Sequence, residues 1–99
     1  MNQEDYNKAK EEVLQFIMEG REFPLDDFPV IIDELTIHKK WGWILFYNGS
    51  KFIATKNDSY SYIGNRPLIY NWDKREVIKL GLPTKSIFEL IKDYEERRL

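Results

Sequence analysis

Cysteine is absent from this 99-residue chain, which removes disulfide staples, thiolate metal ligands and cysteine nucleophiles together. One histidine, His38, stands alone, with no serine near it in a recognisable nucleophile pattern, so it is read as a strand-end residue rather than as part of a catalytic triad. The five glycines are scattered and none forms a cradle ahead of a helix, so no phosphate-binding loop is expected. No apolar run approaches about 18 residues, so no segment is expected to span a membrane. Met1 to Asp5 is acidic and polar, without the basic start and apolar centre of a secretory signal. Together with the missing cysteine this gives a cytoplasmic protein as the expectation, and the length suits one domain over residues 1–99.

What the chain does have is charge, unevenly placed. Through Glu34 there are 10 acids against 3 bases, a net of −7, whereas the remainder carries 7 acids against 12 bases, a net of +5. Such blocks commonly serve as solvated helix faces. Their functional reading is an acidic surface that meets a basic protein partner and hastens encounter. The small overall charge of −2 argues against nucleic acid as that partner, although six tyrosines and three tryptophans offer stacking surfaces.

Periodicity predicts an α+β domain. Tyr6, Ala9, Val13, Phe16 and Ile17 recur at three-to-four spacing, giving an amphipathic helix capped by Asn2 or Asp5 and stopped at Gly20. Arg21 to Pro29 reads as a connector punctuated by Pro24 and Pro29, pinned to the core by Phe23, Leu25 and Phe28. Val30 to His38 alternates as a strand. After Lys39-Lys40-Trp41, Gly42-Trp43-Ile44-Leu45-Phe46-Tyr47 follows as an antiparallel partner, apolar on both faces and therefore central in a sheet. Asn48-Gly49-Ser50 reads as a tight turn, with Lys51 to Thr55 extending the strand beyond it and Tyr60 to Ile63 pairing briefly with the sheet. Leu68 to Asn71 and Glu76 to Leu80 form a second hairpin across Trp72-Asp73-Lys74-Arg75, entered through Pro67. Gly81-Leu82-Pro83 ends the sheet, and Thr84 or Ser86 caps a last helix with Ile87, Leu90, Ile91 and Tyr94 as its stripe.

The expected architecture is therefore one antiparallel sheet of four to five strands flanked by an N-terminal and a C-terminal helix, in the order α-β-β-β-β-α. The helices either share one face of the sheet or sandwich it. Antiparallel sheets often keep one face toward solvent, so a shared face with an open aromatic surface opposite is the expectation.

Reactive constellations are scarce. Asp33 and Glu34, adjacent on a strand, would point to opposite faces and do not make an acid-base pair. Asp26 and Asp27, with Asp58 elsewhere, lack calcium-loop spacing and read as solvated loop acids, so neither a metal nor a cofactor is expected. Aromatic residues carry more information, because tryptophan and tyrosine dominate protein interfaces. Trp43 and Tyr70 are assigned to the core, while Trp41 and Trp72, placed at turns, are assigned to the surface with Arg66 as a cation near them. Glu34, Trp41, Tyr60, Tyr62 and Trp72 are the candidate protein-binding residues.

Asp33-Glu34-Leu35-Thr36, the Gly42-Trp43 strand, Gly64-Asn65-Arg66-Pro67-Leu68-Ile69-Tyr70 and Glu76-Val77-Ile78-Lys79-Leu80-Gly81, in this order between two helices, resemble the YrhB-like family, also called immunity protein 35. The resemblance covers residues 5 to 96. Trp72 to Arg75 departs from it where a glycine-containing turn is expected. It implies a small cytoplasmic antidote that binds and neutralises a cognate bacterial toxin, or alternatively a chaperone-like holdase. Neither role is enzymatic, and the resemblance supplies no catalytic or binding residues.

Overall fold

The computed structural model describes residues 1–81 and 85–98. Helix α1, Gln3–Met18, begins with a reciprocal cap: Asn2 Oδ1 accepts from the Asp5 backbone N–H at 2.9 Å, and the Asp5 carboxylate accepts from the Asn2 N–H at 3.1 Å. Two otherwise orphaned donors are thereby satisfied. Tyr6, Ala9, Val13 and Ile17 form its buried stripe, and Gly20 leaves the helix at φ +69°. Phe16 lies outside that stripe and is exposed.

The stretch expected as one strand over residues 30–38 is broken. Strand β1, Pro29–Ile31, and strand β2, Ile37–Lys39, flank a 3₁₀ turn at Asp33–Leu35. Strand β3, Gly42–Leu45, pairs with β2, while strand β4, Tyr47–Gly49, pairs with β1, both antiparallel. Between the pairs Ile31 with Tyr47 and Ile37 with Ile44, residues 32–36 stand opposite only residues 45 and 46. The surplus loops out as the 3₁₀ turn and kinks the long hairpin into two sheets, as a large bulge does.

Two further expectations are corrected nearby. Asn48 and Gly49 belong to β4 and make no hairpin turn, and the segment after them is a short helix, α2, Ser50–Thr55. Gly49 is needed for close approach: a Cβ there would lie 2.6 Å from both Asp27 and the Tyr62 ring. Tyr60 to Ile63 forms no strand; Asp58–Tyr60 is a 3₁₀ turn, and the Asn48 side chain ties the loop down by accepting from the Tyr62 N–H at 2.9 Å.

The second hairpin forms as expected from β5, Leu68–Asn71, and β6, Glu76–Lys79, completing a four-stranded antiparallel sheet in the order β2-β3-β5-β6. In its turn the buried Asn71 side chain accepts from the Lys74 N–H at 3.0 Å, and Arg75 takes φ +53°, the conformation a glycine adopts freely. Helix α3, Ile87–Arg98, starts with the Ser86 hydroxyl accepting from the Glu89 N–H at 3.2 Å. Leu82 and Pro83, read as the sheet's end, and Thr84, the other candidate cap, lie outside the described residues.

The helices cover opposite faces of the four-stranded sheet, which overturns the expectation of a shared face. Trp43, Leu45, Leu68 and Tyr70 pack with the stripe of α1, whereas Ile44 and Ile69 pack with Ile91 and Tyr94 of α3. Alternation along β3 and β5 explains this, since both parities are large and apolar. Ile44 and Ile69 are 0% exposed, and leaving that face open would forfeit about 2 kcal/mol of burial for each.

Candidate functional site

The five sequence-derived candidates do not converge. Trp41 is 7% exposed: its ring packs on Tyr94 at 5.0 Å and its indole N–H donates to Glu95 at 3.1 Å. That corrects its assignment to the surface, because the turn residue is roofed by α3. Trp72 is half-buried, edge-on to Trp43 at 5.7 Å, with the Arg75 guanidinium 3.5 Å above the indole. The cation beside it is thus Arg75, and Arg66 instead donates to the Gly81 carbonyl. Glu34 is exposed on the 3₁₀ turn between β1 and β2.

Tyr60 and Tyr62 belong to one neighbourhood with the proline connector. Tyr62 stacks on Phe23 at 5.8 Å and donates its hydroxyl to the Asp27 carbonyl at 2.9 Å, and burial pushes its phenol above the ordinary range. Lys51 of α2 pairs with Asp26 at 3.1 Å and lies 5.5 Å from the centre of the Tyr60 ring. The hydrogen bond and ion pair hold the Asp26 carboxyl below its usual range and raise the Lys51 ammonium. Phe23 does pin the connector, as expected. Leu25 does not, being 99% exposed, and Phe28 is 48% exposed.

Beside this connector, α1 and β1 enclose a groove of about 700 Å³. Leu14, Met18, Phe28 and Val30 give it apolar walls, with Glu11 and Asp33 at the rim. Its helical wall follows from spacing: Asn7, Lys10, Glu11, Leu14 and Met18 are three or four residues apart and form a ridge beside the buried stripe. Its other wall is β1, which the loop-out at residues 32–36 separates from the larger sheet.

One end of the groove is fixed by a polar node. The Tyr6 hydroxyl donates to Asp33 at 2.8 Å and lies 2.7 Å from the Thr36 hydroxyl, and Lys10 reaches the same Asp33 oxygen at 3.1 Å. Burial, helped by the Asp33 charge and opposed by Thr36, pushes the Tyr6 phenol up to about 12. For Asp33 itself, burial pulls upward but is outweighed by the hydrogen bonds from Tyr6 and Lys10, so its carboxyl lies below the usual range. His38 is exposed at the strand end, its ring 5.8 Å from that of Tyr6. Among the described residues no three acidic or histidine side chains gather as a metal site, and Asp26, Asp27 and Asp58 make none. No helix among them is long and apolar enough to cross a membrane.

Sequence reasoning missed Met18, Leu25, Phe28 and Ile63 as exposed apolar groups. A signal existed for Met18, four residues beyond Leu14 on the same ridge. For Leu25 and Ile63 nothing in the local pattern distinguishes a pinned loop residue from a free one.

No family model and no solved structure matches the chain. It is 31% identical over 74 residues to the uncharacterized protein YrhB of Escherichia coli (strain K12), an alignment covering 73% of this chain and 74% of that protein.

Proposed function

The chain belongs to the YrhB family, and on that footing we propose that it is a non-catalytic protein-binding domain, an immunity protein that binds a cognate bacterial toxin and occludes its active site. The observation that carries this reading is the open apolar groove between α1 and β1, set in the most acidic part of the chain and continuous in sequence with the exposed Phe28 and Leu25. An apolar surface with an acidic surround suits a basic protein: the field speeds encounter and the buried apolar contacts slow release. Glu34, Tyr60 and Tyr62 remain contact residues in this reading and Trp72 stays on its margin. Trp41 leaves it, because its ring and its N–H are already engaged. The setting is the cytoplasm, with neither nucleic acid nor membrane as the target.

Calorimetry against the product of the neighbouring gene tests the proposal. A saturable one-to-one complex that weakens as salt rises is expected; no heat at micromolar concentrations would refute it. A holdase is the second reading, favoured by Leu25 and Ile63, each 99% exposed on loops. It would delay aggregation of unrelated unfolded proteins without fixed stoichiometry.

A further inference from the structure

Among the described residues, strand β1 has one edge unpaired. The bonds flanking its ladder, from the Ser50 N–H to the Phe28 carbonyl and from the Ile32 N–H to the Phe46 carbonyl, are each 2.8 Å and fix the alternation. Val30 faces β4, so the carbonyl of Pro29 and both the N–H and the carbonyl of Ile31 point the other way. Among the described residues these three groups have no hydrogen-bond partner. The groove lies on this side: it is lined by the consecutive residues Phe28, Pro29, Val30 and Ile31, both parities together, as an edge is and a face is not.

The edge strand β2 of the larger sheet carries His38 and Lys39 with Lys40 beyond, the charges that commonly guard an edge. The edge of β1 has only Pro29 as a guard, which removes one donor; Ile31 is 7% exposed, packed in the α1 core, and its N–H has no partner among the described residues. Charge selects the occupant. Lys10 is already matched by Asp33 at 3.1 Å, whereas Glu11 has no ion-pair partner among the described residues.

We propose, building on the protein-binding reading, that the groove accepts an extended segment of the partner as a strand added to β1. The segment alternates apolar and basic residues. Its main chain pairs with Ile31, its apolar side chains lie against Leu14, Met18 and Val30, and its basic ones reach Glu11 and the free side of Asp33. Three residues of β1 allow only two or three main-chain bonds, so alternate side chains supply most of the selectivity.

The test titrates the isotope-labelled full chain with a synthetic peptide alternating valine and lysine, followed by amide NMR. Saturable shifts confined to residues 28–33 and the α1 ridge are expected, with slowed exchange of the Ile31 amide. A valine–glutamate peptide should bind at least tenfold more weakly, and Glu11→Lys should reverse that order. N-methylation of the pairing amides in the valine–lysine peptide should cost at least tenfold while leaving every side chain in place. Equal binding by the N-methylated peptide, or tighter binding by a helical peptide of the same composition, would overturn strand addition. A toxin complex seen by calorimetry beside a groove that ignores all of these peptides would overturn this inference and leave the protein-binding reading standing.

Discussion

Replacing Gly42 with alanine puts the sheet to a quantitative test. Gly42 opens β3 opposite Asn71 of β5, and a Cβ on it would sit 1.9 Å from the Tyr70 carbonyl oxygen. A carbon and a carbonyl oxygen in neighbouring strands approach to about 3.3 Å, so β3 and β5 must part by roughly 1.4 Å at this point. The obstacle is main chain, which has no rotamer to swing away. The 2.8 Å bond from the Trp72 N–H to the Trp41 carbonyl lies directly beyond and is lost. A lost bond of about 1 kcal/mol and overpacking strain of about 2 kcal/mol give a destabilisation of about 3 kcal/mol. For a domain of this size that lowers Tm by roughly 15 °C. Thermal and urea denaturation of Gly42→Ala measure it. A variant within about 1 kcal/mol of the parent would refute the packing argument. The glycine in the Gly-Trp pair is thus a spacing requirement of the sheet.

Titration at the Tyr6 node has a defined sign. Because the folded phenol lies at about 12, above the ordinary 10.0, its contribution to stability is complete below pH 10 and is lost as pH rises toward 12. Tyr6→Phe should remove that alkaline loss in urea midpoints followed from pH 8 to 12. The depressed Asp33 carboxyl acts oppositely, its contribution present above the ordinary carboxylate range and lost as pH falls through the lower folded value, so Asp33→Asn should flatten the acid limb. Trp41→Phe keeps an aromatic ring against Tyr94 and removes the N–H that meets Glu95; a loss of about 1 kcal/mol in denaturation is expected, with partner affinity unchanged by calorimetry.

Features set by neighbours in sequence were legible: α1 with its Asn2 cap, the hairpin of β5 and β6, and α3 with its Ser86 cap all follow from spacing and capping residues. Features set by distant partners were not. The loop-out at 32–36 depends on how β1 registers with β4, and Asp33 is held by Tyr6, 27 residues away. Phe52 and Ile53 form too short an apolar run to separate strand from helix, and the segment is helical. The two-sided covering of the sheet was written in β3, where Trp43, Ile44 and Leu45 are all buried, and a general habit of antiparallel sheets outweighed that signal. Trp41 was misplaced because the approach of α3 has no local mark. At the site, the acidic first third was visible in composition, whereas the groove arises only from how α1 and β1 are set beside each other.

The aromatic groups that suggested a binding face therefore mostly build two cores, and recognition is assigned to the side of the molecule where apolar surface is left open. Hydrogen exchange of this chain alone and with the proposed partner, the product of the neighbouring gene, tests that assignment most directly. Slowed exchange in residues 28–33 and along Lys10 to Met18 is the predicted result. Protection elsewhere with these segments unchanged, or no protection at all, would contradict it.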